Sequence, residues 1–258
     1  FWNKKDQKTT IYGKNSYMTS KEIAMKKIDK ELVDPAVEPE LEKLHRLARA
    51  AISDIPVVGG TLAETFNALI ESPMERRKTK WRNKVTEAIN ELYIKKIITE
   101  KDLQENEQFF TALVHASSTA IKNHEEEKLD ALRNAVLNSA LPDAPDETRQ
   151  HLFLNLVDSC SSWHIALLKL FQNPVQWAKD NRHQFPNQST GGLNSVIVSA
   201  YPDLKNHQDI YSLILKQLYR DGLFATDGLG TTMTGEGMLS KRTTPFGDEF
   251  IKFISPPN

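Results

Sequence analysis

From residue 35 to about residue 180, apolar residues recur every three or four positions, in segments separated by short polar loops. This spacing places the apolar residues of each segment on one face of an α-helix. Because every such helix has one apolar face to bury, the pattern predicts a multi-helix antiparallel bundle over residues 34–182. The stripes include Leu44 and Leu47, Trp81 and Val85, Phe109 and Leu113, Leu129 and Leu132, and Phe153 and Val157.

Capping signals divide this region into helices. Thr61 and Glu64 have the spacing of a capping box, which predicts a helix from Thr61 to about Glu71. A second capping box begins at Ser72 and carries Pro73 at the first helical position, so we expect a new helix there that reaches about Ile97. Later helices are predicted to begin at Thr99, Glu125, Asp146, Ser162 and Asn173.

Beyond a polar loop at residues 181–192 the pattern changes. A short apolar segment from Leu193 is followed by a helix predicted over residues 207–221, with Gly222 as its C-cap. A strand at 223–226, a return strand near 238–243 and a closing helix at 244–254 complete the order helix, helix, β-hairpin, helix. This order is typical of a winged helix. The predicted fold is mainly α, a helical bundle followed by a small winged-helix-like module with one β-hairpin over residues 183–258. The 207–221 helix is expected to turn four apolar residues inward: Ile210, Leu213, Ile214 and Leu218.

The N-terminal residues differ from both regions. Residues 1–31 carry eight lysines against four acidic residues, with few apolar residues between them. This composition is typical of a solvated arm, and we predict a flexible basic arm over residues 1–33.

Composition narrows the function classes. The chain has 258 residues, 39% hydrophobic and 26% charged, with a formal net charge of −1, so it is neither a disordered tail nor a polycation built for nucleic acid. A single cysteine, Cys160, excludes an internal disulfide, a cysteine-based zinc site and an iron–sulfur cluster. No apolar run approaches the roughly 20 residues of a membrane helix, and no secretory signal is apparent. The expectation is a cytoplasmic protein without a membrane association.

Candidate catalytic groups are few. His164 follows Cys160 by four residues, so the two could form a catalytic cysteine–histidine pair. A lone cysteine is, however, usually a small buried apolar residue. Gly59 and Gly60 precede a helix start, but no lysine follows them as in a phosphate-binding loop. One Glu-x-x-His sequence, ending at His45, is too little for a di-iron site. We therefore predict no catalytic residues, no metal and no cofactor, and keep catalysis by Cys160 with His164 as a minor alternative.

Basic residues mark the candidate contact sites. They lie in the densest basic segment of the chain, on the exposed side of the 207–221 helix, and on the predicted wing: Arg76, Arg77, Lys80, Lys216, Arg220, Lys241 and Arg242. The segment at 76–84 could equally be a solvated face paired with the acidic helix further along. Residues 205–258 hold six basic and six acidic residues, so this module has little charge with which to neutralise phosphates. The sequence thus predicts a non-enzymatic binding or regulatory protein that acts through protein contacts or self-association. A DNA-binding transcriptional regulator, using the 207–221 helix and the wing, is the alternative.

Five stretches carry a family resemblance: residues 55–60, 73–77, 131–135, 141–145 and 242–247. On these the chain resembles a family of uncharacterised bacterial proteins, a helical domain followed by a winged-helix-like region. The resemblance implies one shared fold over residues 34–254, and it implies no activity and no functional residues.

Overall fold

The computed structural model describes residues 61–257, with side chains from residue 73 onward. This part of the chain is mainly helical, with eleven α-helices and one two-stranded antiparallel sheet. The arm predicted for residues 1–33, the helix predicted from residue 35 and the Gly59-Gly60 turn lie outside the described residues.

The elements follow one another closely, with short connections up to α7 and longer ones beyond it. The helices are α1 (Thr61–Ile94), α2 (Glu100–Gln104), α3 (Glu107–Lys122), α4 (Glu126–Ser139), α5 (Glu147–Ser159), α6 (Ser162–Gln172), α7 (Pro174–Asp180), α8 (Leu193–Ala200), α9 (Gln208–Arg220), α10 (Gly235–Met238) and α11 (Pro245–Phe253). A 3-10 turn, Pro202–Leu204, joins α8 to α9, and the strands are β1 (Thr190–Gly191) and β2 (Met233–Thr234).

Helix α1 corrects the first predicted boundary. The break expected at Ser72 is absent, and α1 continues through Pro73. A proline inside a helix removes one backbone hydrogen bond and crowds the carbonyl four residues earlier, and burial of side chains such as Trp81 and Ile89 in the core offsets this cost. The helix ends at Ile94 rather than Ile97 because Lys96 adopts a left-handed backbone conformation (φ 56°), which terminates α-helices.

Most of the later helix starts are confirmed, since they rest on local capping. Asp146 accepts the backbone N–H of Arg149 at 3.1 Å at the start of α5, and Asn173 caps α7 in the same way. Thr99 forms the predicted capping box with Asp102, but α2 ends at Gln104. Asn106 then caps a separate helix, α3, by accepting the Phe109 N–H at 2.8 Å. At α6 the cap is Ser161, one residue before the prediction.

Helix α4 lies at the centre of the core. It packs against α1, α3, α5, α6 and α11, and ten of its fourteen residues are buried. Its buried polar residues donate hydrogen bonds, as Lys128 Nζ does to the Asp158 carbonyl oxygen at 2.8 Å, whereas Asn134 Oδ1 is buried without a partner. Across the neighbouring pair α1 and α3, the Trp81 indole N–H donates to Ser117 Oγ at 2.8 Å. A buried hydrogen bond of this kind fixes the relative position of two helices.

Two asparagines of α4 bind the C-terminal end of α11. Asn138 Nδ2 donates to the carbonyl oxygens of Phe253 and Ser255, both at 2.8 Å, and Asn134 Nδ2 donates to that of Ile254 at 3.0 Å. The last carbonyls of a helix have no partner within it, so these side chains replace the water that would otherwise bind there. One apolar cluster accordingly extends from Trp81 through α4 to residue 254, across the predicted boundary between residues 182 and 183.

The predicted β-hairpin is not formed as expected. In place of paired strands at 223–226 and 238–243, Phe224 and Thr243 form a single antiparallel bridge. The backbone N–H of Ala225 donates to the Arg242 carbonyl oxygen at 2.8 Å beside it. Burial of Phe224 against Phe171, with ring centroids 5.5 Å apart, holds this bridge in place.

The segment between the two bridge residues pairs elsewhere. Strand β2 is antiparallel to β1, and Met238 belongs to the short helix α10 rather than to a strand. A Cβ at Gly235 would lie 2.4 Å from the Gln188 carbonyl oxygen, so only glycine allows this approach. The C-cap of α9 is Asp221, one residue before the prediction, and Gly222 follows it with the left-handed φ of 75° that ends the helix.

Candidate functional site

The basic segment of α1 lies against the acidic start of α4. Lys80 and Lys84 both form ion pairs with Glu126, and Lys84 also contacts Asp130 at 2.7 Å. Arg77 Nη1 donates to the Ile121 carbonyl oxygen at 3.3 Å, and both Arg76 and Arg77 are exposed. Of the predicted contact residues in this segment, Lys80 is thus paired with a carboxylate, and Arg76 and Arg77 form no ion pair with residues of the described range 73–257.

Electrostatics at this junction favour the charged forms. Burial disfavours the Lys84 ammonium, but hydrogen bonds to Asp130 and Glu126 outweigh burial and raise its pKa. The hydrogen bonds from Lys80 and Lys84 lower the pKa of Glu126. The pairs therefore persist at neutral pH, although exposed pairs of this kind contribute little to stability.

Lys241 and Arg242, the residues predicted to lie on a wing, also have partners within the chain. Lys241 forms an ion pair with Asp248, and burial opposes the charge of that carboxyl less than its hydrogen bonds favour it, so the pKa of Asp248 is lowered. Arg242 is half-buried, and its Nη2 donates to the Gly237 carbonyl oxygen at 2.5 Å, at the end of α10. Arg242 thereby holds the segment that carries β2 and α10.

Helix α9 presents a different surface. Lys216 and Arg220, predicted on the exposed side of this helix, are at the surface, and so are His207, Gln208 and Tyr219, with Ser212 half-buried. Arg220 Nε lies 3.6 Å from the carboxylate of Asp221, and Lys216 forms no ion pair with any residue in the described range 73–257. Basic groups with this exposure are available to a partner.

Two of the four residues predicted to point inward do not. Ile214 and Leu218 are buried, but Ile210 is 44% exposed and Leu213 is 67% exposed. Tyr211 and Leu215 take the inward positions instead. The reason is geometric: α9 carries apolar residues around most of its circumference, and its neighbours cover only the side of residues 211, 214, 215 and 218.

We call the solvent-facing stripe of α9 the α9 surface: Asp209, Leu213, Lys216 and Arg220, flanked by Ile210 and Tyr219. Spacings of four, three and four residues align the first four on one face of the helix. Tyr219 is 49% exposed. Three of the large apolar side chains exposed on the described surface thus belong to one helix of 13 residues.

The geometry gives no support to the cysteine–histidine pair. Cys160 is buried, and burial raises the pKa of its thiol to about 12, which disfavours the reactive thiolate. His164 Nδ1 accepts the backbone N–H of Ser161 at 3.2 Å, and Nε2 faces Gln217 Oε1 at 3.2 Å. Both ring nitrogens are therefore occupied, and burial lowers the pKa of His164.

A cleft of about 320 Å³ lies between the α4–α5 loop and α11. Its charged side chains pair with one another, as in Arg149 with Glu249 at 3.1 Å and Lys252 with Asp143 at 2.9 Å. A ligand would have to displace these pairs. Among residues 73–257, no group of three or more histidine, cysteine, aspartate or glutamate side chains is placed to hold a metal ion.

No protein-family model matches this chain, and no curated protein or solved structure is significantly similar to it. None of the helices in the described part of the chain is long and apolar enough to cross a membrane. The resemblance to a bacterial family therefore stays a prediction.

The sequence predicted Lys216 and Arg220 as contact residues of the α9 surface, and it missed Asp209, Ile210 and Leu213. The apolar residues of α9 form two overlapping stripes, one through Ile210 and Leu213 and one through Tyr211 and Leu218, and the sequence does not tell which of them faces the core. Only the large number of apolar residues indicates that some of them are exposed, because a surface helix buries only part of its circumference.

Proposed function

We propose that this chain is a non-enzymatic binding protein that works through protein contacts, and that the α9 surface is where the partner binds. The exposure of Leu213 carries the proposal. Its side chain is 67% exposed in the middle of the stripe, with Ile210 beside it. Single exposed apolar residues are ordinary, but apolar side chains gathered within a polar rim are typical of protein interaction sites.

The residues around Leu213 suit a protein partner. Tyr219 offers a large ring with a polar end, and aromatic residues and arginine are enriched at protein interfaces. Asp209, Lys216 and Arg220 supply a charged rim of both signs. A surface of this composition gains from burying apolar area and uses its charges for orientation.

We further propose that residues 183–257 form a winged-helix-like module on a helical bundle. In its support, α8, α9, the bridge between Phe224 and Thr243, and α11 follow in the order of that fold. In this arrangement α9 takes the position of the recognition helix. The segment from 226 to 241, held by Arg242, takes the position of the wing.

DNA binding is the second candidate, favoured by the exposure of Lys216 and Arg220 on the same helix. Against it stand the pairing of Lys241 with Asp248 and the engagement of Arg242 with the Gly237 carbonyl oxygen. In a DNA complex, Leu213 would also place an apolar side chain at the centre of the helix face that enters a groove lined by phosphates. Both considerations favour a protein partner.

A photo-crosslinking amino acid at position 213 tests the proposal in cells that express the chain. We expect an adduct that survives nuclease and disappears with protease. The matched control carries the same group at Leu152, which is 48% exposed on α5 and should give little or no adduct. A nuclease-sensitive adduct would transfer the function to DNA binding, and no adduct at 213 above the level at 152 would overturn the proposal.

The DNA alternative has its own direct test. Fluorescence anisotropy with a mixed-sequence duplex from roughly 50 to 200 mM salt measures the contribution of phosphate contacts. Under our proposal, binding is weak and the double variant Lys216→Glu with Arg220→Glu changes it little. Tight binding with a steep salt dependence, lost in that variant, would establish α9 as a DNA-reading helix.

A further inference from the structure

The α9 surface has its charges in a definite order. Asp209 lies at the N-terminal end of the stripe, Leu213 in the middle, and Lys216 and Arg220 toward the C-terminal end. All four side chains are exposed, and Asp209 and Lys216 form no ion pair with other residues of the described range. The stripe therefore runs from negative through apolar to positive.

Such an order is self-complementary in one orientation only. A second α9 laid antiparallel across the first, with the twofold axis at Leu213, brings the acidic end of each helix to the basic end of the other. At 1.5 Å per residue, Asp209 lies about 6 Å before Leu213 and Lys216 about 4.5 Å after it, so the two charges meet in this arrangement. A parallel copy would bring like charges together.

The same axis pairs apolar surface. Ile210 stands three residues before Leu213 and Lys216 three residues after it, so Ile210 of one copy meets the aliphatic stem of Lys216 of the other. The two Leu213 side chains meet on the axis. Contacts of this kind, in which each surface binds its own copy, are the requirement of a twofold interface.

We infer that the partner of the α9 surface is a second copy of this chain, bound antiparallel through α9 about an axis at Leu213. The inference rests on the proposed function of this surface in protein contact. Helix α9 has 13 residues and is therefore about 20 Å long. A pair of such helices buries less than the roughly 1,200–2,000 Å² of a standard interface, so the dimer is weak and forms at micromolar or higher concentrations.

Sedimentation equilibrium of the chain over about 1–300 μM is the first measurement. We expect a monomer–dimer equilibrium that Leu213→Asp weakens by tenfold or more, because two carboxylates would then face each other on the axis. The control Leu152→Asp places the same charge on another exposed leucine and should leave association unchanged. A monomer throughout this range, or equal effects of the two substitutions, would overturn the inference.

Charge exchange tests the antiparallel orientation. Asp209→Lys and Lys216→Asp should each weaken self-association about threefold to tenfold, since each leaves like charges opposed at two symmetric positions. An equimolar mixture of the two variants should associate more tightly than either variant alone. Without that recovery, the antiparallel arrangement is wrong. Circular dichroism of each variant shows whether the chain keeps the helix content of the wild type.

Cysteine cross-linking gives a second reading of the geometry. Under mild oxidation, Leu213→Cys should form disulfide dimers, and Ile210→Cys mixed with Lys216→Cys should cross-link between the two variants more than within either. The native Cys160 is buried and does not compete. A parallel dimer would instead cross-link Ile210→Cys with itself, which would overturn the arrangement.

The crosslinking and sedimentation results separate the two proposals. An adduct at position 213 with the mass of two chains supports both. A protease-sensitive adduct with a different protein, together with a monomer at 300 μM in sedimentation, would leave the proposed function standing and overturn the self-association. Absence of any protein adduct would overturn the proposed function itself.

Discussion

Helices α4 and α9 are nearly equal in length but differ in which side chains they bury. Helix α4 buries ten of its fourteen residues, including Asn134, Asn138 and Lys128, all of which are polar. Helix α9 leaves Leu213 and Ile210 in solvent. In one helix polar groups are inside, and in the other apolar groups are outside.

The difference shows that neighbours, rather than residue type, decide burial. The donor groups of Asn134, Asn138 and Lys128 are buried because each lies within hydrogen-bond distance of an acceptor, such as the carbonyl oxygens at the end of α11. Helix α9 contacts the core along one side only, and nothing in the described part of the chain covers the other. Buried polar groups are normally hydrogen-bonded, whereas uncovered apolar side chains gathered on one face are typical of interaction surfaces.

The largest expected effect is the difference in unfolding free energy between alanine substitutions of one leucine in each helix. Leu132 is fully buried, so Leu132→Ala should lower the free energy of unfolding by about 2–5 kcal/mol. Leu213→Ala should change it by less than about 0.5 kcal/mol. Urea denaturation, at concentrations where the chain is monomeric, measures both. A loss at Leu213 comparable to that at Leu132 would mean that this side chain is covered after all.

The next effect tests the polar anchors of α4. Asn138→Ala should cost about 2–4 kcal/mol of unfolding free energy, because it leaves the Phe253 and Ser255 carbonyl oxygens without a donor. The control Asn155→Ala removes an exposed asparagine of α5 and should be nearly neutral. If both variants unfold at the same urea concentration, the contact of Asn138 with α11 is not a stabilising one.

A smaller, pH-dependent effect concerns the attachment of α9. His164 of α6 contacts Gln217 of α9, and burial lowers its pKa below the ordinary value of 6.5. As the pH falls through 6.5, the unfolded chain takes up a proton that the folded chain resists, so stability is lost toward acid pH.

The stability difference between the wild-type chain and His164→Asn should therefore shrink between pH 7.5 and pH 5, because the asparagine has no such proton to gain. Thermal unfolding over about pH 5–7.5 measures it. A difference that is constant with pH would show that the pKa of His164 is the same in the folded and the unfolded chain, and that burial does not lower it.

The smallest effect concerns the ion pairs between the basic segment of α1 and the start of α4. Glu126→Gln removes the carboxylate partner of Lys80 and one of the two partners of Lys84, which keeps Asp130, so the unfolding free energy should fall by less than about 1 kcal/mol. The control Glu91→Gln removes an exposed glutamate of α1. In about 1 M salt the difference between the two variants should vanish. A larger loss that persists in salt would place the junction of α1 and α4 among the main determinants of stability.

Local signals in the sequence predicted local structure. Thr99, Asp146 and Asn173 were recognisable as caps because a cap needs only the next three residues. Pairings over longer distances were not recognisable. Strand β2 pairs with β1, more than forty residues earlier, and nothing in the threonine- and glycine-rich segment around it selects that partner over a hairpin.

The same limit applies to the candidate site. The charges of Lys216 and Arg220 were placed correctly at the surface, since charged residues are rarely buried. The side of α9 that faces outward depends on where α6 lies, and periodicity does not contain that information. Leu213 therefore could be found only from the packed structure.

The bonds from Asn134 and Asn138 to the end of α11 span 115 to 120 positions in the sequence. During synthesis at roughly 5–20 residues per second, α4 leaves the ribosome about 6–23 s before the residues that complete it. Throughout that interval its amide groups and the apolar surface meant for α11 are open to water and to other nascent chains. A translational pause after residue 140 would lengthen the period in which this surface is exposed. The synthesis of α11 therefore sets the time at which the core around α4 is covered and no longer prone to aggregate.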